Sequence, residues 1–189
     1  MNFSQQIKQS NTDEWYTTED SVYMIVPYLH GGGYKRILCP FDTVESNYVK
    51  VLSKEGFSVE YGHIKTGQDF FNRTDLKDFD AIVSNPPFSK RQDVLERLFE
   101  SKVPFAMILN FNGLFDSKAR WELFKNNKFE LLIPLGRMHF LNEECVGNSP
   151  NFQSIYVCNG MCGKQIEFTE GYRPYKQLSL MDCMTIKEG

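Results

Sequence analysis

The chain has 189 residues, 41% of them hydrophobic, and a formal net charge of −3. A chain of this size and apolar content buries one good core, so we expect a single domain over residues 1–189. The net negative charge excludes an overall electrostatic preference for nucleic acid and leaves only local basic surfaces for that purpose. These are Lys35–Arg36, Lys90–Arg91, and Arg137 with His139.

Targeting signals are not apparent in the sequence. No apolar stretch approaches the roughly 20 residues of a membrane span. The residues at the N-terminus lack the apolar block of a signal peptide. We therefore expect a cytoplasmic protein that does not contact a membrane.

The first third of the chain predicts alternating helices and strands. Thr17 to Leu29 carries apolar residues at helical spacing, and Thr17 with Asp20 resembles a capping box. The glycines at 31–33 end this helix. The elements that follow are a strand over 36–39, a helix over 46–54 with Gly56 as its C-terminal cap, and a strand over 57–61.

The rest of the chain continues the alternation. Strands are predicted over 80–84, 104–109, 129–135, 137–141 and 152–157, and helices over about 90–99 and 117–126. Such a pattern indicates an α/β fold with a mostly parallel sheet and an antiparallel hairpin at its end. Parallel sheets of this kind bind ligands at the carboxyl ends of their strands, and the loops at 40–43 and 85–88 both follow strands there.

The most informative segment is Asn85-Pro86-Pro87-Phe88, which directly follows an apolar strand. Adjacent prolines prevent the strand from continuing, so the chain leaves the sheet in an extended turn. The Asn85 side chain and the Pro86 carbonyl offer two acceptors for the hydrogens of an amino group. Phe88 offers a face on which a base stacks, a contact worth roughly 1–3 kcal/mol. The alternative is a structural turn that only ends a strand.

Ser84-Asn85-Pro86-Pro87-Phe88 resembles the catalytic (D/N/S)-P-P-(Y/F) motif of the S-adenosylmethionine-dependent amino-methyltransferases. Members of that class modify adenine N6 or cytosine N4 in DNA, and related motifs serve glutamine side chains and RNA bases. The resemblance extends over roughly residues 13–157. It implies a Rossmann-like class I methyltransferase fold, with Asn85, Pro86, Pro87 and Phe88 as the catalytic residues.

The same resemblance implies S-adenosyl-L-methionine as the cofactor. Residues 13–18 are similar to the segment that contacts the methionine moiety, 37–42 to the first cofactor motif, and 67–71 to an Asp-Phe element whose carboxylate meets the cofactor adenine. The cofactor-binding residues that it implies are Tyr16, Thr17, Pro40, Phe41, Asp42, Asp69, Phe70 and Asn85.

The first cofactor motif departs from the pattern of that class. Cys39 stands where an acid is usual, and Thr43 and Glu45 stand at positions of glycines that let the backbone approach the cofactor. His63 occupies the place of the acid that binds ribose hydroxyls. Asp42 or Glu45 would then take over such contacts, although Asp42 also suits a helix cap and His63 an ordinary strand end.

Substrate recognition has to come from short loops, because no separate recognition domain is evident. Arg137 and His139, together with residues 148–152, are candidates for the base pocket, and an ordinary hairpin is the alternative. Tyr16-Thr17 resembles a Tyr-Thr segment of the adenine enzymes, and this resemblance favours adenine N6 in DNA. DNA is then the expected partner of a small modifier of the kind found in phages or mobile elements. An RNA or protein-amide methyltransferase, or a degenerate fold that only binds a partner, remain the alternatives.

The five cysteines form no paired CxxC units. Cys158 and Cys162 resemble half of a metal site that Cys145, Cys183 or His139 would complete, but structural zinc sites have tighter ligand pairs. We therefore expect reduced thiols and no metal.

Overall fold

The computed structural model describes residues 16–141, 147–148 and 152–170. Its strands are β1 Tyr16–Thr17, β2 Arg36–Cys39, β3 Ser58–Tyr61, β4 Ala81–Ser84, β5 Phe105–Asn110, β6 Glu130–Pro134, β7 Phe140–Leu141, β8 Gly147–Asn148, β9 Ser154–Asn159 and β10 Ile166–Thr169. Its helices are α1 Glu19–Tyr23, α2 Val26–Gly31, α3 Asn47–Lys54, α4 Arg91–Ser101 and α5 Lys118–Asn126. In this part of the chain no helix combines the length and the apolar character that crossing a membrane requires.

Seven strands form one sheet in the order β10-β6-β9-β5-β4-β2-β3. All neighbours are parallel except β9, which runs antiparallel to both β5 and β6. The parallel strands therefore end at one common edge, called the carboxyl edge below, and β9 begins there. This topology confirms the predicted Rossmann-like α/β fold with a mostly parallel sheet and an antiparallel pair near its end.

The central strands are buried on both faces, so their residues alternate between two cores. In β4, Ala81 and Val83 pack into the cluster that contains α1, α2 and α3, while Ile82 packs into the cluster that contains α4 and α5. Such burial explains the continuous apolar runs in the sequence. It also fixes the strand register, because a slip by one residue would exchange the two faces.

The helix predicted over 17–29 is two short helices, α1 and α2. Pro27 lies in the first turn of α2. Its ring nitrogen has no hydrogen to donate to a carbonyl in the preceding turn, so the helix restarts at this point.

The predicted capping box is also wrong. Thr18 is the N-cap residue, and its side chain makes no capping bond. Its hydroxyl instead donates to the His139 carbonyl at 3.2 Å and bonds with the Ser21 hydroxyl at 3.0 Å. Thr18 therefore joins α1 to a distant part of the chain.

The later strands differ from the prediction in two places. The strand expected over 137–141 is limited to β7, which pairs with β1 and β8 in a separate three-stranded sheet. The edge strand β10 was not predicted. Two-residue strands are too short to show a period in the sequence, and β10 is exposed at alternate residues rather than buried.

Candidate functional site

The two loops that the sequence singles out meet at the carboxyl edge. β2 and β4 are adjacent and parallel, with Leu38 opposite Ile82, so residues 40–42 and Asn85 leave the sheet side by side. The Ser84 hydroxyl donates a hydrogen bond to Oδ2 of Asp42. This contact ties the first loop to the residue that precedes Asn85.

Asp42 is the centre of this junction. The carboxyl group is buried and accepts a second hydrogen bond at Oδ1, from the Ser46 hydroxyl. Burial raises the pKa of Asp42 to about 6, because a low dielectric disfavours the charged form, and the two serine hydroxyls oppose that shift. Ser46, whose Oγ accepts from the Tyr48 amide at 3.2 Å, is the residue that caps α3. The alternative in which Asp42 caps this helix is therefore wrong.

The Asn85–Phe88 loop, predicted to be catalytic, has the extended form that its prolines impose. Asn85 is half-buried and Pro86 is buried. Pro87 has φ −60° and ψ 132°, and its carbonyl accepts from the Lys90 amide at 3.0 Å, which closes a 3₁₀ turn over Phe88–Lys90. The loop is thus stiff and anchored at both ends.

Phe88 faces a second aromatic ring across the edge. Its ring centroid lies 6.0 Å from that of Phe152, with the planes at 83°. Phe152 lies two residues before the start of β9, and the side chain of the intervening Gln153 donates to the Gly136 carbonyl at 2.7 Å. The predicted base-pocket residue Phe152 is therefore brought to the catalytic loop.

The Tyr16–Thr17 strand also reaches the junction. The Asn47 side chain donates to the Thr17 carbonyl at 2.8 Å, and Asn47 is the neighbour of Ser46, which holds Asp42. Thr17 is buried, whereas Tyr16 is 48% exposed. The segment predicted to contact the methionine moiety lies against the start of α3.

The Asp69–Phe70 element approaches the first loop through its aromatic rings. Asp69 caps a 3₁₀ turn by accepting from the Phe71 amide at 3.0 Å. Phe70 is buried and packs edge-on against Phe41, with centroids 5.1 Å apart. Phe70 thus supports the loop from the core side, and Phe41, which is half-buried, is the more accessible ring.

The residues considered as substitutes for a ribose-binding acid have other partners. Glu45 is exposed and pairs with Lys50 at 2.8 Å. Nδ1 of His63 accepts from the Lys65 amide at 3.1 Å and so caps a 3₁₀ turn. Gly62 directly follows β3 and joins the ends of β2 and β3. Its amide donates to the Cys39 carbonyl, and its carbonyl accepts from the Asp42 amide.

Arg137 and His139 lie on the segment between β6 and β7, and both are exposed. The His139 carbonyl is bound by Thr18. The structure therefore places His139 beside β1, while the carbonyl of Gly136, the neighbour of Arg137, is bound by Gln153, the neighbour of Phe152. The role of this segment in substrate binding stays a prediction.

Metal ligands do not cluster in the described part of the chain: no group of three or more His, Cys, Asp or Glu residues converges there. Cys39, Cys158 and Cys162 are free thiols. Cys145 and Cys183, which the half-site reading would need, lie outside the described residues.

The residues at the carboxyl edge fit an adenosine-containing cofactor. Asp69 has carboxylate lone pairs beyond the one that its capping bond uses. Phe41, which packs against Phe70, is half-buried and offers an apolar ring near the first loop. S-adenosylmethionine would be held by these groups together with Tyr16 and Thr17.

Comparison with known proteins relates the chain to methyltransferases. No protein-family profile matches the chain. The type II methyltransferase M.EcoRI of Escherichia coli is 28% identical to it over an alignment that covers 71% of this chain and 47% of the relative. The amino-methyltransferase resemblance is confirmed. The chain spans about half the length of this curated relative.

Two solved structures are also similar to the amino-methyltransferase-like chain. A release factor-specific protein-(glutamine-N5) methyltransferase from Alicyclobacillus acidocaldarius has a TM-score of 0.39 at 13% identity and covers 75% of this chain and 93% of its own. A modification subunit of a putative type I restriction enzyme from Vibrio vulnificus has a TM-score of 0.47 at 12% identity and covers 96% of this chain and 54% of its own.

Sequence reasoning missed the side chains that hold the site together. Ser46 and Asn47 were not predicted as site residues, and Ser84 was recognised only as part of the sequence motif around Asn85. Ser46 is a favoured N-cap type at a predicted helix start, Asn47 follows it, and Ser84 directly precedes Asn85. Their partners are distant in sequence, which is why the contacts themselves were not predictable.

Proposed function

We propose that this protein transfers a methyl group from S-adenosylmethionine to an exocyclic amino group, and that the group is adenine N6 in DNA. The relationship to M.EcoRI supports the reaction class. The observation that carries the proposal is the Ser84–Asp42 hydrogen bond. It sets the acceptors of the Asn-Pro-Pro-Phe loop beside the loop predicted to hold the cofactor.

The chemistry requires activation of a weak nucleophile. The lone pair of an aromatic amine is delocalised into the ring, and S-adenosylmethionine, when bound, supplies an electrophilic methyl group. The Asn85 side-chain oxygen and the Pro86 carbonyl accept the two amine hydrogens and draw them out of the ring plane. This localises the lone pair, and the rigid loop aligns it for in-line displacement. No strong general base is needed, because the amine becomes acidic as it is alkylated.

The aromatic pair supports a base that has left its stack. An enzyme that modifies a base inside a duplex has to extrude it into a pocket. Phe88 supplies one stacking face, and Phe152, perpendicular to it, closes the neighbouring side. Arg137 and His139 are proposed to contact the substrate from the exposed segment nearby.

Cofactor affinity is expected to be lower than in relatives with a glycine-rich loop. Thr43 and Glu45 carry side chains where glycine would allow close approach of the backbone. This departure favours, as a second candidate, a degenerate fold that binds a partner without methyl transfer. A cytoplasmic modifier of phage or mobile-element type remains the proposed biological setting.

The decisive experiment is a methyl-transfer assay with radiolabelled cofactor on unmethylated duplex DNA, RNA and a glutamine peptide. Digestion of the DNA and mass spectrometry identify the methylated nucleoside. We expect N6-methyladenine, which is lost in Asn85→Ala and retained in Asn126→Ala, a matched change at the far end of α5. Methyl transfer to the peptide alone would identify protein amides as the substrate. If calorimetry detects no binding of the cofactor, the result would favour a non-catalytic binding module.

A further inference from the structure

The three basic segments that the sequence offers for nucleic acid differ in their position relative to the Asn85–Phe88 loop. Lys35–Arg36 lies at the start of β2, at the amino edge, opposite the candidate site. Arg137 and His139 lie beside β1. Arg91 begins α4 directly after the Phe88–Lys90 turn. It is therefore the arginine that directly follows the Asn85–Phe88 loop and its turn.

Arg91 faces the loop that follows β5, at the same carboxyl edge. Its guanidinium donates to the Asn112 carbonyl at 3.5 Å, a long contact for a group with five donors. The side chain is half-buried. Burial and the neighbouring Arg120 lower the pKa of Arg91, while Asp116 acts in the opposite direction.

Charge around Arg91 is not balanced by the described residues. The Arg120 guanidinium binds the backbone of the loop after β5. It donates to the Leu114 carbonyl at 3.1 Å and to the Gly113 carbonyl at 2.9 Å. Asp116 Oδ2 and the Arg91 guanidinium also lie beside Gly113, and Asp116 is the acid that acts on Arg91. Lys90, which precedes Arg91 in the chain, has its Nζ 3.7 Å from Oδ2 of Asp93. Two guanidinium groups held together against one carboxylate leave a positive site that an anion would neutralise.

The surface beside this positive site is aromatic. Phe111 is 41% exposed at the start of the same loop. Its amide donates to the Gln153 carbonyl at 2.8 Å, which connects it to the residue after Phe152. An arginine next to exposed aromatic rings is the combination with which proteins bind nucleic-acid strands: the cation holds the backbone and the rings stack on bases.

We propose that Arg91 binds a backbone phosphate of the nucleic-acid strand whose base enters the Asn85–Phe88 loop. The proposal rests on the proposed function and narrows its substrate class. A phosphodiester supplies the oxygens that a guanidinium engages in pairs, whereas the neutral side chain of a glutamine substrate supplies no anion. Arg91 is thus a substrate-positioning residue, not a catalytic one.

The test measures binding of labelled duplex DNA, and of RNA of the same sequence, by fluorescence anisotropy across a salt titration with S-adenosylhomocysteine present. One lost phosphate contact lowers the slope of log K against log salt by about 0.9. We therefore expect Arg91→Ala to weaken binding about eightfold at about 0.1 M salt. Arg91→Lys should keep most of the slope, because the point charge remains. Arg36→Ala, which removes the same charge at the amino edge, should leave the slope unchanged.

The outcomes distinguish this inference from the proposed function. Equal losses on DNA and RNA support a site for the shared phosphodiester, and a loss on one strand type assigns the site to it. The proposed phosphate site is overturned if Arg91→Ala leaves the slope of log K against log salt unchanged, or if Arg36→Ala changes that slope equally. This holds even where methyl transfer is found. Arg91-dependent binding without methyl transfer overturns the proposed function alone. Where Arg91→Ala alters the circular dichroism spectrum, Arg91→Gln repeats the test with the same criteria.

Discussion

Replacing Asp42 with asparagine is expected to stabilise the protein at neutral pH while it impairs the site. The carboxyl group is buried between β2, β4 and α3, and its pKa is about 6 against an ordinary value of 3.8. A shift of that size corresponds to about 3 kcal/mol between the protonated and ionised forms. Ionised Asp42 therefore costs the folded state up to about 3 kcal/mol.

The sign follows from proton binding. Between about pH 4 and pH 6 the folded protein retains a proton that the unfolded chain has released, so stability falls as pH rises through this range. The contribution is fully present below the unfolded pKa and is lost once pH exceeds the folded one. Asp42→Asn has no such proton. Its unfolding free energy at about pH 7 should exceed that of the wild type by roughly 1–3 kcal/mol, the upper limit being the full shift.

Urea unfolding followed by circular dichroism measures the difference. The advantage of Asp42→Asn should grow by about 1 kcal/mol between about pH 5 and pH 7. Asp80→Asn is the control of opposite sign, since the backbone amides of Arg36 and Lys35 hold the pKa of Asp80 below its usual range. This second variant should be less stable than the wild type at neutral pH. An Asp42→Asn variant that is less stable at neutral pH, or whose advantage does not change with pH, would refute the reasoning.

Three other substitutions test the site and its support. Asn85→Ala should lower kcat on the order of 100-fold with cofactor affinity unchanged in calorimetry, because the lost acceptor acts mainly in the transition state; a variant with wild-type turnover contradicts the assignment. Phe88→Ala should raise KM for DNA by the equivalent of roughly 1–3 kcal/mol of stacking, and an unchanged KM argues against a stacking role. Tyr156→Phe removes the hydroxyl that donates to the Ser21 carbonyl at 2.9 Å and bonds with Tyr48 at 3.0 Å. It should lower the unfolding free energy by roughly 1–3 kcal/mol in urea titrations, and no loss would mean that these buried groups find other partners.

The fold and the position of the candidate site could be predicted from the sequence, because both follow from local rules. Apolar runs separated by helical patterns indicate a parallel sheet, and two prolines after such a run force the chain out at the carboxyl edge. The prediction that the loops at 40–43 and 85–88 lie at the same edge of the sheet needed only that β2 and β4 are parallel strands of one sheet. Their adjacency in the structure agrees with it.

Contacts between side chains were beyond the same rules. The bond from Ser84 to Asp42 depends on the register of two strands that are not consecutive, and burial of that carboxyl depends on how α3 packs over both. The helix break at Pro27 does follow from a local rule, because proline in a helix removes a backbone hydrogen bond, but the apolar spacing over 17–29 predicts a single helix. β1, β7 and β8 are two-residue strands. They form through tertiary pairing and are too short to show a periodic pattern in the sequence.

Pairing of β1 with β7 gives the site an order of assembly. Tyr16 lies opposite Leu141 and Thr17 opposite Phe140. β1 therefore cannot pair until β7, which is synthesised much later, is available. Closing so long a loop has an entropic cost that two residue pairs offset only in part. During synthesis the catalytic loop therefore exists before the strand beside α3 is in place. In the finished protein β1 should be among the first elements to exchange its amide hydrogens, well before the central sheet opens.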